Sequence, residues 1–507
     1  MPSLEPLRRF LVTKSIRRNT LANLSGRLLS AALAFAAIPI LFSKLGSEAY
    51  GLVGLAVTLE SLFTLLDLGL STAVNREVAR SIGTDSRPEA NRDLLRTLEV
   101  IYWPIGLLIL GLVLTASGWL ASSGLNAGEL PIGTVEFSIA VLAFTLTIRW
   151  PMSLYAGVLR GLQAQLLYNV IQTLGTIVRL AGGVAVVTWV SPTVEAYFVV
   201  ALLGSVLQVV ALVAAAWRSL ASSPRLPKFR LTIVRSLWRF ALAYNGIVIL
   251  SQLLMQSGML FVAKLLPLQE VGFYAVASSL AGVVVYVPYA LVDASFPRFV
   301  AEWQRGDSAS FNRTYRKALN TSAAAVVTIA FPIVFFSKDL LVVWTRSSIV
   351  ASQAGDVVAM LAAGNLLYAL WAIPYIGLVA AGIVRIPLTV NVVVVPIALM
   401  ASPYAISVAG SSGAAAVWAI ASAVFLAIYP FALAKKLGGA GAVGAWARPA
   451  AIVLFAFGAF TAVAQATQQS PPVSRLVAAG LCDAALGAAA LVWLRGTFHP
   501  SRPEEDL

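Results

Sequence analysis

The stretch IAVLAFTLTIRWPMSLYAGVL, residues 139–159, is apolar over a length that crosses a bilayer, yet it contains Arg149. A membrane-spanning helix needs about 20 mainly apolar residues. Bilayer-spanning β-strands do not fit, because they alternate apolar and polar residues over only about ten positions. Comparable runs recur along the chain and predict an all-α polytopic membrane protein with about fourteen transmembrane helices. These helices lie near residues 22–43, 49–72, 97–119, 135–157, 168–190, 194–217, 239–263, 271–293, 318–337, 356–380, 386–409, 413–434, 446–466 and 475–495.

The overall composition agrees with this interpretation. Of the 507 residues, 59% are hydrophobic and only 11% are charged, whereas about a quarter of a soluble domain is charged. The single cysteine and single histidine, Cys482 and His499, exclude a disulfide framework and a Cys/His metal cluster. The loops are too short to fold as a catalytic domain, and no GxxxxGK[ST] motif is present to bind a nucleotide. We therefore expect a transporter without a metal or other cofactor, not an enzyme.

The net charge of +14 is distributed by loop. Lys and Arg concentrate in the amino-terminal arm, the even-numbered loops and the tail. The other loops hold only Lys44, Lys264, Lys338, Arg346 and Arg475. Positive residues mark cytoplasmic loops, so both termini are expected in the cytoplasm. The excess charge serves topology and attracts anionic membrane lipids, and it gives no reason to expect nucleic acid as a partner.

Two sequence pairs indicate an internal duplication. SKLGSEAYGLVGLAVTLESL at 43–62 resembles AKLLPLQEVGFYAVASSLAG at 263–282, and YAGVL at 155–159 resembles YIGLV at 375–379. The separations are nearly equal, so each half should contain six helices. Because six is even, the two halves enter the membrane from the same side and form parallel repeats. The predicted division is a basic arm at 1–19, an N-lobe at 20–225, a C-lobe at 226–437, and two extra helices with a cytoplasmic tail at 438–507.

Polar side chains recur at three- and four-residue steps within four helices of the first half, so that each set lies along one helix face. The clearest set is Asn169, Gln172, Thr173, Thr176 and Arg179. Such stripes predict a shared polar cavity, which is cationic in the first lobe and neutral in the second. The candidate substrate-binding residues are Asn23, Arg27, Arg149, Gln172, Arg179, Gln252, Gln256 and Asn365.

Three intramembrane arginines and few acids indicate an anionic ligand. Guanidinium groups bind phosphate oxygens through paired hydrogen bonds, while amides and aromatic rings suit the hydroxyls and ring faces of sugars. An amphiphile with a phosphate-linked sugar head would fit. The alternative is that the arginines pair with Glu60 and Asp67 as internal struts. These two acids could also bind a coupling proton or sodium ion.

LGSEAYGLVGLA at 45–56 and LLDLGLSTAVNREVAR at 65–80 resemble the second-helix signature of the bacterial oligosaccharide flippases. These O-antigen and exopolysaccharide translocases belong to the multidrug/oligosaccharidyl-lipid/polysaccharide exporter superfamily. The resemblance implies two lobes with alternating access, a bacterial cytoplasmic (inner) membrane location, and undecaprenyl-pyrophosphate-linked oligosaccharide as cargo. It also implies cavity arginines for pyrophosphate or acidic sugars and a polysaccharide polymerase as a partner.

The expected function is therefore translocation of lipid-linked oligosaccharide repeat units to the outer leaflet for polysaccharide biosynthesis. A small-molecule or multidrug exporter of the same superfamily is the first alternative, although a cavity for cationic drugs would be rich in acids. A polytopic glycosyltransferase or polymerase is the second, and the short outward loops count against it.

Overall fold

A computed structural model describes residues 16–67, 69–82, 88–437 and 444–496, and helices dominate these ranges. We number the helices in chain order as α1 Ile16–Phe63, α2 Leu70–Ile82, α3 Pro88–Trp119, α4 Ile132–Arg149, α5 Met152–Gly161, α6 Gln165–Trp189, α7 Val194–Ser219, α8 Leu231–Leu265, α9 Leu268–Gly282, α10 Tyr286–Gln304, α11 Ser308–Phe335, α12 Ser337–Thr345, α13 Ser348–Ala380, α14 Arg385–Lys436, α15 Ala447–Ala466 and α16 Pro472–Gly496. Residues 1–15 of the predicted basic arm and the predicted tail after Gly496 lie outside the described residues.

Two glycines explain why the structure has twelve continuous helical stretches where the sequence predicts about fourteen membrane spans. In the described part of the chain, twelve continuous helical stretches are long and apolar enough to cross a membrane. Two of them, in α1 and α14, each contain a glycine with a positive φ, 82° at Gly46 and 59° at Gly410. Glycine adopts such a conformation without steric cost, and the helix changes direction there. Each of these long helices therefore holds two spans, which confirms the all-α polytopic fold with about fourteen spans.

The chain forms two compact units. The first unit contains residues up to Gln252 together with Leu266–Gly272, and the second contains Leu253–Leu265 and the residues from Phe273 onward. The core of the first unit lies among α2, α3, α5 and α7, where Val74, Leu95, Leu154 and Leu212 are fully buried. This core fixes the ends of the helices that carry the polar residues described below.

Helices α2 and α5 approach each other closely within this core. Gly157 and Gly161, four residues apart, lie on the face of α5 that meets α2. A Cβ atom at Gly157 would lie 2.6 Å from the carbonyl oxygen of Ser71, and one at Gly161 would lie 2.7 Å from Cβ of Val78. Small residues at this spacing let two helix backbones pack closely in a membrane. The contact places the start of α2 beside the middle of α5 and the middle of α2 beside the end of α5.

In the second unit, aromatic side chains attach α15 to α11, and an ion pair attaches α16 to α12. Phe331 and Phe335 contact Phe457 and Phe460 of α15 with ring centroids 5.4–6.3 Å apart. Helix α16 is held at its first turns, where Arg475 Nη1 lies 3.1 Å from Asp339 Oδ2. Burial of the Asp339 carboxyl raises its pKa, and the Arg475 guanidinium opposes that shift.

Gly51 of α1 and Gly272 of α9, the pair that aligned in the sequence repeat, contact each other's helices within the first unit. A Cβ at Gly51 would lie 2.5 Å from the carbonyl oxygen of Leu268, and a Cβ at Gly272 would collide with the carbonyl oxygen of Ser47. The backbone itself fills this space, so no side chain fits at either position. The similarity of the two sequences at these positions therefore also reflects a packing requirement.

We predict that Gly272→Ala lowers the free energy of unfolding by about 1–3 kcal/mol, because overpacking of this size forces backbone shifts. Thermal unfolding in detergent measures the effect. Gly111→Ala in α3 is the matched control, because open space surrounds Gly111 and alanine favours a helix over glycine. Equal melting temperatures for the two variants would contradict the predicted contact.

Candidate functional site

A cavity of about 410 Å³ lies within the first unit, among the second segment of α1, α2, the α4–α5 junction and α6. Polar and charged side chains make up most of its described lining. They are Glu60, Ser61, Thr64, Ser71, Arg149, Ser153, Arg160, Tyr168 and Gln172. Two arginines therefore face this cavity and one acid does. Cavities of this size hold a small polar ligand or the headgroup of a larger one.

Arg149 is the last residue of α4, inside the 30-residue stretch Ile132–Gly161. At 1.5 Å per residue it lies about 18 Å from the Gly161 end. Pro151 cannot donate the backbone hydrogen bond that would continue α4, and the chain restarts as α5 at Met152. The break turns the Arg149 side chain into the cavity, where it is 17% exposed. The cost of a charge within the membrane is thus offset by a polar cavity.

Glu60 pairs mainly with Arg179. Nη1 of Arg179 lies 2.7 Å from Oε1 and 2.9 Å from Oε2 of Glu60, and Nε of Arg149 lies 3.6 Å from Oε2. Arg179 is absent from the cavity lining, and its buried Nε has no hydrogen-bond partner within the described structure. In the described structure Arg179 is therefore the main ion-pair partner of Glu60, while Arg149 faces the cavity.

On the side away from Glu60, Arg149 contacts the amide of Gln208, which in turn contacts the amide of Gln172. Nη1 of Arg149 donates to Gln208 Oε1 at 3.1 Å, and Gln208 Nε2 donates to Gln172 Oε1 at 2.8 Å. Gly175 makes this arrangement possible, because a Cβ there would collide with the Gln208 amide. Gln208, a lone amide within α7, is buried and was not among the predicted site residues. Its signal in the sequence was the presence of an amide in an otherwise apolar span.

Asp67 forms a separate cluster beside the cavity. The buried carboxylate accepts hydrogen bonds from Tyr102 Oη at 2.6 Å, Ser153 Oγ at 2.7 Å, and both Oγ and the backbone N–H of Ser71 at 2.8 and 3.2 Å. Hydroxyl and backbone donors, not an arginine, hold this acid in the described structure. The ion pairing that the strut alternative requires is therefore present at Glu60, whereas the described contacts of Asp67 are hydroxyl and backbone donors. Because Ser71 and Ser153 also line the cavity, the cluster forms part of its wall.

We predict that Asp67→Asn lowers the free energy of unfolding by about 1–2 kcal/mol, because the amide group of asparagine would face donors that then lose their acceptor. Ser153→Ala, which removes one of the four donors, should have a smaller effect. Thermal unfolding of both variants tests this. A stability loss from Ser153→Ala equal to that from Asp67→Asn would contradict the central role of the carboxylate.

Arg160 and Tyr168 also line the cavity, although neither was predicted as a site residue. The guanidinium of Arg160 lies 4.7 Å from the ring centroid of Tyr168, and its Nη2 lies 3.0 Å from the phenol oxygen. The sequence pattern assigned Arg160 to a cytoplasmic loop as a topology signal. It lies in the last turn of α5, about 17 Å along the chain direction from Arg149, and so adds a second cation to the cavity.

The remaining predicted residues with described side chains, Gln252, Gln256 and Asn365, do not line this cavity, although Gln252 contacts a residue that does. Gln252 donates to Ser61 Oγ at 2.9 Å in the first unit. Gln256 and Asn365 belong to the second unit, where Asn365 is buried and bonds to the Ala281 carbonyl and the Trp418 indole. The side chains of Asn23 and Arg27 lie outside the described residues.

The backbone position of Arg27 is nevertheless informative. The neighbouring Gly26 faces α6, where a Cβ atom would lie 2.8 Å from Thr173 Oγ1. Thr173 follows Gln172, which lines the cavity. Arg27 therefore lies on α1 next to a contact with the helix that contributes Gln172, and its role in ligand binding stays a prediction.

Comparisons with known families give two matches. Residues 16–303 match the family described as polysaccharide biosynthesis protein, and residues 246–404 match the MatE family. The first match covers the whole cavity described above. A sequence comparison with curated proteins gives no match.

Solved transporters share the fold. The lipid II flippase MurJ in an inward closed conformation has a TM-score of 0.69 at 11% identity, over 95% of this chain and 99% of its own. An inward-facing multidrug resistance MATE family transporter of the MOP superfamily has a TM-score of 0.67 at 15% identity, over 80% and 94%. A MOP superfamily transporter from Pyrococcus furiosus has a TM-score of 0.55 at 17% identity, over 84% and 97%. At these identities the likeness establishes the fold and leaves the ligand open.

Proposed function

The chain belongs to the polysaccharide biosynthesis protein family, and on this premise we propose that it is a flippase for undecaprenyl-pyrophosphate-linked oligosaccharide. It would move repeat units from the cytoplasmic to the outer leaflet of a bacterial inner membrane for the synthesis of O-antigen, capsule or exopolysaccharide. The observation that carries the proposal is the charge of the cavity in the first unit. Arg149 and Arg160 line it, and its single described acid, Glu60, is already engaged by Arg179.

The cavity offers complementary chemistry at different depths. Arg160, near the end of α5, would meet a phosphate group at the level of the lipid headgroups, and Arg149 would hold the more deeply inserted part of an anionic head. Both guanidinium groups can donate to oxygens of phosphate or carboxylate. Gln172, Ser61, Thr64 and Tyr168 supply the donors and acceptors that sugar hydroxyls need. The polyprenyl tail would remain in the lipid.

Transport requires the cavity to be open to one leaflet at a time. A proton or sodium gradient acting on Glu60 or Asp67, or removal of the product by a polysaccharide polymerase, would supply the driving force. In the first case the ion would compete with Arg179 for Glu60 or with the hydroxyl donors for Asp67. Either ion would therefore change the hydrogen bonds that shape the cavity wall.

The test is translocation in vesicles that contain the purified protein. Lipid-linked oligosaccharide is placed in one leaflet, and its appearance in the other is followed by cleavage of the exposed sugar. The proposal predicts translocation that requires the protein and both the sugar and the diphosphate. Movement of undecaprenyl phosphate alone at the same rate would contradict it.

Export of small cationic molecules is the second candidate, because residues 246–404 match the MatE family. The vesicles used above distinguish the two functions. Counter-transport of an organic cation without translocation of lipid-linked oligosaccharide would favour export. The excess of arginine over acid in the lining of the first unit favours the flippase.

A further inference from the structure

The segment between α7 and α8, residues 220–230, follows an extended path along α3. We call it the linker strap. Its sequence LASSPRLPKFR contains Pro224 and Pro227, which favour extended backbone and exclude a regular helix. The strap faces three acceptor residues on α3, Glu89, Asp93 and Thr97. Their four-residue spacing places them on one face of that helix.

Each of these residues accepts a hydrogen bond from the linker strap. Ser223 Oγ donates to Glu89 Oε1 at 2.8 Å, the backbone N–H of Lys228 donates to Asp93 Oδ1 at 2.7 Å, and the backbone N–H of Arg230 donates to Thr97 Oγ1 at 3.0 Å. Asp93 is almost fully buried beneath the strap. Two backbone N–H groups, the Ser223 hydroxyl and the Arg230 guanidinium, which forms an ion pair with Asp93, therefore fix the strap on α3.

The outer face of the strap combines apolar and cationic side chains. Leu226 is 81% exposed and Phe229 is 48% exposed. Arg225 and Lys228, each adjacent to one of them, are exposed as well. The strap begins directly after Ser219, the last residue of the apolar span Val194–Ser219, so it lies where the hydrocarbon layer gives way to headgroups. A single exposed leucine is common on protein surfaces and does not indicate a binding site. Two exposed apolar side chains next to two cations, at the depth of the lipid headgroups, do indicate a membrane-binding surface.

We propose that the linker strap binds the acidic headgroup surface of the cytoplasmic leaflet, with Leu226 and Phe229 inserted below the headgroups and Arg225 and Lys228 among their phosphates. Interfacial segments bind membranes through this combination of apolar insertion and cationic attraction. Each cation near an anionic leaflet is worth about a fivefold gain in partition. The inference depends on the orientation predicted from the charge pattern and is independent of which substrate the protein transports.

The test uses an environment-sensitive fluorophore at position 226. The single native cysteine is first replaced by Cys482→Ser, and Leu226→Cys is then labelled. Ser308→Cys provides the matched control, because Ser308 is exposed at the first position of α11 and has Arg305 and Arg313 nearby in the sequence. The full-length protein is placed in vesicles of phosphatidylcholine alone or of an equal mixture with phosphatidylglycerol. Quenching by brominated acyl chains reports insertion.

We expect the label at 226 to be quenched severalfold more than the label at 308, and more in acidic than in neutral vesicles. Arg225→Gln with Lys228→Gln should reduce quenching in acidic vesicles to the neutral level while translocation activity and melting temperature confirm a folded protein. Equal, water-like emission at 226 and 308 would overturn the proposal. Quenching at 226 that is indifferent to phosphatidylglycerol would also overturn it, because the acidic surface would then have no part.

Discussion

Replacing Arg149 by alanine should weaken binding of undecaprenyl-pyrophosphate oligosaccharide by roughly 10- to 100-fold, which corresponds to about 1.4–2.8 kcal/mol. The guanidinium lines the cavity and is held by Gln208 on one side, while Glu60 on the other side is paired with Arg179. Loss of the Arg149 guanidinium therefore removes a cation that would contact the ligand, and it leaves the ion pair between Glu60 and Arg179 in place. Native mass spectrometry of the purified protein with the lipid-linked oligosaccharide measures the affinity.

Two variants make this result specific. Arg149→Lys keeps the charge and loses the fork that contacts Gln208 and an oxyanion together, so it should fall between wild type and Arg149→Ala. Arg218→Ala removes an exposed arginine at the end of α7, outside the cavity lining, and should bind as wild type. Equal losses for Arg149→Ala and Arg218→Ala would mean that net charge, not the cavity, sets the affinity.

Replacing Arg179 by alanine should lower the free energy of unfolding by about 3 kcal/mol, because the Glu60 carboxylate, which is largely shielded from solvent, then loses its main ion-pair partner. This value is the lower end for breaking a buried pair, since Arg149 remains 3.6 Å from Glu60. The relaxation should also draw Arg149 toward Glu60 and weaken ligand binding indirectly. Thermal unfolding in detergent, with and without lipid-linked oligosaccharide, measures both effects.

The double variant Glu60→Gln with Arg179→Gln is the control. Removing both charges leaves no uncompensated carboxylate, so its stability should be closer to wild type than that of Arg179→Ala. Its Arg149 would remain available to the ligand. If Arg179→Ala were as stable as wild type but failed to bind, Arg179 would be a ligand contact and the strut assignment would be wrong.

The fold was largely predictable because the bilayer imposes long apolar helices, and the hydropathy of the chain reports them directly. The two internal breaks were also located, because the predicted spans leave gaps at 44–48 and 410–412, and these gaps contain Gly46 and Gly410. The sequence does not give the positive φ of these glycines, because a glycine in regular helix looks the same. The repeat signal at Gly51 and Gly272 was clearer, because each position admits no side chain.

The candidate site was predictable by residue type and less so by role. Helical spacing placed Arg149, Gln172 and Glu60 on inward faces, and all three line the cavity. The spacing of residues within one helix does not predict which arginine of a neighbouring helix pairs with Glu60. Arg149 and Arg179 were therefore predicted as one group, and only their distances to Glu60 distinguish them. Arg160 was not predicted as a site residue, because the sequence does not distinguish an arginine at a helix end that sets membrane topology from one that binds a ligand.

The most direct test of the central claim is a structure, by electron cryo-microscopy, of the protein with bound undecaprenyl-pyrophosphate oligosaccharide. The proposal predicts density for the anionic head within hydrogen-bonding distance of Arg149 in the first-unit cavity, with the Glu60–Arg179 pair intact. Density for the head elsewhere, with the cavity still lined by Arg149, Gln172 and Arg160 but empty of ligand, would contradict it.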